Sequence, residues 1–133
     1  MKQFLAILTF VSLASPAVGT TARAPIEGRW SNPKDSVVIE VAPCGSAYCG
    51  TVIKATAKAK ADAREGGIAS LVGTQLMTGF KPVKDGYRGK VLLPKRGIQA
   101  TGTIRQLGSN TLAVKGCLVA GILCKEQRWD RIR

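Results

Sequence analysis

The chain has 133 residues, with 20 Lys and Arg against 8 Asp and Glu, a formal net charge of +12, four Cys and no His. A single domain is expected at this length, and a 45% apolar fraction with 15 Gly belongs to a globular chain rather than a disordered one. The lack of His removes imidazole bases, Ser-His and Cys-His nucleophile pairs and His metal ligands, and with them the commonest hydrolase and metalloenzyme designs.

Residues 1–24 read as a signal peptide. Lys2 gives a positive start, and Phe4 to Ala14 form an uncharged apolar run. That run is too short for a bilayer core, which needs about 20 apolar residues. Small residues follow, as signal peptidase requires, and they place the cut between 19 and 24 (after Ala17-Val18-Gly19 or Thr20-Thr21-Ala22). The expectation is a periplasmic or secreted domain over 25–133. No Cys follows the run, so a lipoprotein is not expected. Cleavage carries away one base, Lys2, and no acid. The mature chain then stays above the net charge of about 2–8 usual for a small soluble domain.

Ile26 to Trp30 is a short first strand, closed by Ser31-Asn32-Pro33. Val37-Val38-Ile39-Glu40-Val41 is β-branched, Pro43-Cys44-Gly45-Ser46 turns it, and Tyr48 to Lys54 returns as its hairpin partner. Ala55 to Glu65 alternates Ala with polar residues, which is formally a strand period. Ala nevertheless favours helix, and Lys58 with Asp62 at i,i+4 ahead of Gly66-Gly67 fits a short helix or a charged loop. Leu71 to Val83, Tyr87 to Leu93, Ile98 to Leu107, Thr111 to Cys117 and Ile122 to Ile132 follow, separated by Gly-containing turns. Roughly eight strands at 8–12-residue spacing predict an all-β antiparallel meander, a sandwich or small barrel.

Cys44, Cys49, Cys117 and Cys124 all lie beyond the leader. An oxidising compartment makes disulfides the default, and the C-x4-C and C-x6-C spacings do not favour zinc. Of three connectivities, Cys44–Cys49 with Cys117–Cys124 is preferred on geometry, because each pair brackets a turn between strand-like segments. No cofactor and no metal site is expected.

Three stretches together are familiar: Gly28-Arg29-Trp30-Ser31-Asn32-Pro33, Cys44-Gly45-Ser46-Ala47-Tyr48-Cys49-Gly50, and Lys115-Gly116-Cys117 running on to Leu123-Cys124-Lys125-Glu126-Gln127-Arg128-Trp129-Asp130-Arg131. Their order resembles the exported bacterial family known as domain of unknown function 2147, over Ile26 to Arg131. The resemblance implies a lipocalin-like, up-and-down β-barrel in the envelope or outside the cell, and no established activity. Lys95-Arg96-Gly97 stands where such relatives tend to carry an acidic turn, and the Ala/Lys run at 55–65 replaces a Pro- and Asn-containing connection. Independently of family, Trp30 and Trp129 mark the first and last strands. An Arg beside such a Trp can stack across a closing seam, a structural role assigned here to Gly28, Trp30, Arg128, Trp129 and Arg131, with Arg128 or Arg131 stacking on Trp30.

Glu27, Glu40, Glu126 and Asp130 lie on strands without a spacing that pairs two of them toward a cleft, and surface ion pairs are their expected fate. Ser46, Ser70 and Ser109 lack a nucleophile turn, and the glycines form no nucleotide fingerprint. No catalytic residue is therefore named. The base-rich stretch is more informative: Lys81, Lys84, Arg88, Lys90, Lys95, Arg96 and Arg105 face one acid, Asp85. Arg88 and Lys90 leave the same face of one strand, and with Lys95 and Arg96 they form a candidate anion-binding patch. At 5% aromatic residues no stacking platform for nucleic acid appears. The expected function is a non-enzymatic carrier or sensor of a small apolar or amphipathic ligand. The alternative is an envelope-interaction protein binding polyanions (anionic lipid, lipopolysaccharide or cell-wall polymer) through its basic face. A monomer is expected, touching a membrane surface at most and not spanning it.

Overall fold

The computed structural model describes residues 11–14, 24–119 and 122–132. The signal peptide expected over 1–24 falls almost wholly outside them. Eight antiparallel strands close into one barrel in sequence order: β1 Gly28–Ser31, β2 Val37–Cys44, β3 Ala47–Ala55, β4 Gln75–Val83, β5 Gly86–Leu93, β6 Ile98–Gln106, β7 Thr111–Val119 and β8 Ile122–Arg131. The expected all-β barrel is borne out. Closure comes from β1 pairing with β8, Trp30 opposite Arg131 and Ser31 opposite Asp130.

Alternation explains which side chains fill it. In β2, Val37, Ile39 and Val41 are buried while Glu40 is exposed, the period-2 pattern of a strand with one face on a core. Asn32 shapes the first turn by accepting from the Ser36 and Val37 amides at 2.8 and 3.1 Å, as an Asx residue does. The single helix among the described residues, α1 (Ala57–Glu65), settles the segment that sequence left between helix and loop. Thr56 caps it by accepting from the Ala59 amide at 3.2 Å. Ala63 is fully buried and Leu71 beyond it nearly so, so both belong to the core. Burial of one Ala face against the barrel is what turns an alternating Ala/Lys run into helix.

The meander gives the barrel two unlike ends. One bears the start of β1, the end of β8 and the turns after β2, β4 and β6. There Ile26 is buried and its carbonyl accepts from the Trp30 indole N–H at 2.9 Å. The other end bears the turns after β1 and β5, the end of β7 and the start of β8, together with α1. Trp30, Ile39, Met77, Phe80, Ile104 and Leu112 pack the interior toward the first end.

Candidate ligand-binding site

At the second end the packing stops. A cavity of about 660 Å³ opens there, walled by Val91, Leu93, Ala100, Val114, Gly116 and Leu118. Cross-strand partners share a face, so Gly102 opposite Gly116 and Val114 opposite Gln127 fix the inward set. Among the described residues, a Cβ added at Gly116 would meet only the Ala100 Cβ, at 4.0 Å. The glycine therefore leaves open space and serves no close approach.

Lys125 sits opposite Gly116 on that inward face, and Lys95 and Arg96 in the β5–β6 turn line the same mouth. No carboxylate lines it among the described residues. Asp62 on α1 feels part of this charge, and its carboxyl is held below its usual range. The hydrogen bond from Lys58 does most of this, and the fields of Lys58, Lys95 and Lys34 add to it against the opposing effect of desolvation. The mouth is thus apolar inside and cationic at the rim.

The candidate anion patch of Arg88, Lys90, Lys95 and Arg96 does not stay together. Arg88 and Lys90 lie on the outer face of β5, opposite Thr103 and Thr101 of β6. Lys95 and Arg96 belong to the mouth. Each half gains a lysine from far along the chain, Lys115 on the outside and Lys125 at the mouth. Arg88, Lys90, Thr101, Thr103 and Lys115 line an outer groove of about 350 Å³. Among the described residues, none of these three cations lies within ion-pair distance of a carboxylate, although Glu126 stands opposite Lys115 in the ladder and pairs with Arg105 at 3.8 Å.

The two cavities touch. The β6–β7 ladder runs from Gln106–Leu112 to Thr101–Cys117 and ends there among the described residues. Beyond it β6 continues only with β5, as far as Leu93–Ile98, and β7 only with β8. Ala100 and Leu118, at this parting, line both the inner cavity and the outer groove.

Lys115 and Lys125 were missed in the sequence, yet alternation held the signal. Lys115 is out of phase with Leu112 and Val114 and must point out, whereas Lys125 is in phase with Trp129 and must point in. Of the residues expected at the seam, Gly28, Trp30 and Arg131 come together there, and Trp129 is buried on β8 opposite Leu112. Arg131 stacks on Trp30, its guanidinium carbon 4.2 Å from the ring centroid. Arg128, the other Arg expected beside Trp30, lies opposite Ala113 on the outer face, one residue out of phase with Trp129 and Arg131. Cys44 is joined to Cys49, and Cys117 to Cys124. Cys117 and Cys124 are direct partners with Cα atoms 4.1 Å apart. Cys44 and Cys49 are instead diagonal neighbours, opposite Ala47 and Ala42, at 5.8 Å.

Among the acids, Glu40 pairs with Arg29 at 3.4 Å on the outer surface, and Asp130 accepts from Thr111 at 3.3 Å. Glu27 has one carboxylate oxygen buried without a hydrogen-bond partner among the described residues. It lies at the filled end, away from the mouth.

No curated protein sequence matches the chain. The barrel is similar to a solved protein of Helicobacter pylori, HP1028, described as belonging to the lipocalin family, with a TM-score of 0.61 over 81% of this chain and 83% of that one. At 14% identity this likeness carries the fold alone, which is lipocalin-like. Residues 28–131 hold all eight strands, from the Gly28–Trp30 start to the Trp129–Arg131 end, and they match "Uncharacterized protein conserved in bacteria (DUF2147)"; the chain belongs to that bacterial family.

Proposed function

We propose that this protein is an exported, non-enzymatic carrier or sensor that holds one small apolar or amphipathic molecule in the open half of its barrel. The observation that carries this reading is the apolar cavity of about 660 Å³ whose floor residue, Gly116, leaves space unfilled. Pockets of roughly 300–1,000 Å³ with apolar walls and a few polar groups are the usual form of a small-molecule site. Two disulfides fit an oxidising compartment, and no helix among the described residues is long and apolar enough to cross a membrane. Export with removal of a leader ending between 19 and 24 belongs to the same reading.

Native mass spectrometry of protein purified from its own host cells tests it. The expected result is an adduct of small-molecule mass that is lost on denaturation. A clean apo mass, together with failure to bind the neutral apolar fluorophore N-phenyl-1-naphthylamine, overturns it.

A second reading rests on the outer groove: envelope polyanions (anionic lipid, lipopolysaccharide or cell-wall polymer) bound by Arg88 and Lys90, with Lys95 and Arg96 at the adjoining mouth. It requires binding to anionic vesicles that weakens steeply with salt, because exposed charges are screened within about 8–10 Å. Replacing the four by Glu abolishes such binding. Salt-insensitive binding, or none, rules this reading out.

A further inference from the structure

We infer that the ligand is a single-tailed amphiphile with an anionic head, and that it enters sideways: its tail passes between β6 and β7 into the cavity while its head rests outside on Lys90, Arg88 and Lys115. The inference rests on the carrier reading and adds to it the class of ligand and the place of its head.

Three observations meet at one point. The β6–β7 ladder stops at Thr101–Cys117 among the described residues, so Ala100 and Leu118 just beyond it lack the ladder hydrogen bonds that would close the wall to a chain. The inner cavity and the outer groove share Ala100 and Leu118 at that gap, both small or apolar, as a passage for a hydrocarbon requires. Directly outside, Thr101 is opposite Lys90, whose ammonium donates to its hydroxyl at 3.5 Å, and Thr103 is opposite Arg88 on one side and Lys115 on the other. Three cations and two hydroxyls, with no carboxylate lining the groove among the described residues and the neighbouring Glu126 paired with Arg105, suit a phosphate, sulfate or carboxylate head. A chain anchored there reaches the cavity through the wall and need not pass the rim of Lys95, Arg96 and Lys125.

Displacement of bound N-phenyl-1-naphthylamine by two probes of equal tail, dodecanol and dodecyl phosphate, tests this on the intact mature protein, with dodecanol below its solubility limit and dodecyl phosphate below its micelle concentration. Where a variant no longer holds the fluorophore, dodecyl phosphate binding is read by calorimetric titration. The variants are an outer triple (R88Q, K90Q, K115Q), a mouth triple (K95Q, R96Q, K125Q) and a cavity plug, G116W. The expected result is dodecyl phosphate bound at least about tenfold more tightly than dodecanol, an advantage the outer triple removes and the mouth triple keeps, with both probes lost in the plug. If the mouth triple removes the advantage and the outer triple does not, the sideways placement is overturned. Equal affinity for the two probes overturns the anionic class while leaving the carrier reading standing. Dodecyl phosphate binding that survives the plug means that the groove acts without the cavity, which overturns the inference and favours the polyanion reading. Binding of neither probe removes the carrier reading itself.

Discussion

Gly102 and Gly116 are direct partners across β6 and β7, both facing inward, yet one is filled and the other empty. A Cβ at Gly102 would collide with the Val91 Cγ2 and come within 3.1 Å of the Phe80 ring, whereas a Cβ at Gly116 would, among the described residues, meet only Ala100 at 4.0 Å. The boundary between packed core and open cavity therefore runs between these two residues, within one row of the barrel.

The pair gives the first prediction. Gly102→Ala overpacks the Phe80–Val91 contact and destabilises the barrel by about 1–3 kcal/mol. Gly116→Trp leaves the midpoint of urea unfolding near the wild-type value but weakens binding of N-phenyl-1-naphthylamine by at least about tenfold. If Gly116→Trp unfolds the protein as readily as Gly102→Ala does, the space over residue 116 is not available to a ligand.

Arg131 makes the strongest single claim on stability. Its guanidinium donates to the carbonyls of Pro25 at 2.7 Å, Glu27 at 2.9 Å and Ser109 at 2.9 Å while covering Trp30. It thus ties the segment before β1 and the β6–β7 turn to the end of β8. Gly28 makes room for it: a Cβ there would lie 2.6 Å from the Arg131 Nη1, at a φ of +128° that other residues rarely adopt. Arg131→Ala should cost about 2–3 kcal/mol. Arg131→Lys recovers only part of this, because an ammonium cannot reproduce the fork. Arg128→Ala, on the outer face, should stay within about 0.5 kcal/mol. Equal losses at 128 and 131 in denaturant titrations would remove Arg131 from the seam.

The eight strands were legible because each is bounded by turn residues and carries β-branched positions in alternation, Val37-Val38-Ile39-Glu40-Val41 most plainly. The site was not legible, for three physical reasons. Hollowness depends on what stands opposite a glycine, and Gly102 and Gly116 look alike in a sequence. The basic run from Lys81 to Arg105 suggested one patch, but the barrel sends Arg88 and Lys90 outward and leaves Lys95 and Arg96 at the mouth. Their new neighbours, Lys115 and Lys125, come from β7 and β8, which only register brings alongside. The gap beside Cys117 is invisible for the same reason: it is a pairing that stops although both strands continue.

Tyr87 carries a pH prediction. Burial pushes its phenol above the ordinary value of about 10, helped by Tyr48 and by the negative charge of Glu27 nearby. Its ring meets Tyr48 edge-on, with centroids 5.7 Å apart. The folded state favours the neutral phenol, so this contribution to stability is complete below the unfolded pKa of about 10 and is lost as pH rises through the higher folded value. In an ultraviolet titration, Tyr87→Phe should remove a phenol that titrates above the ordinary value of about 10. Removal of one that titrates at or below that value contradicts this.

The last prediction separates the two disulfides by what they hold. The Cys44–Cys49 bridge closes the β2–β3 hairpin at the filled end of the barrel, beyond Val41 where the β1–β2 ladder ends, with β3 still paired to β4 at Tyr48. The Cys117–Cys124 bridge sits where β7 has just lost β6, so it ties the free end of β7 to β8 beside Leu118 and the gap. Each closes a short loop, with sequence separations of 5 and 7. Loop-closure entropy then gives similar stability losses of about 2–2.5 kcal/mol for Cys44→Ala/Cys49→Ala and for Cys117→Ala/Cys124→Ala. Their effects on binding should differ. Losing Cys117–Cys124 frees Leu118 and Leu123 to move away from Ala100, so hydrogen exchange rises at Leu118 and Leu123 and N-phenyl-1-naphthylamine binds more weakly and dissociates faster. Losing Cys44–Cys49 leaves both readouts at the wild-type level. Equal changes in exchange and affinity for the two double variants would mean that the wall beside Cys117 is held by something other than this bridge.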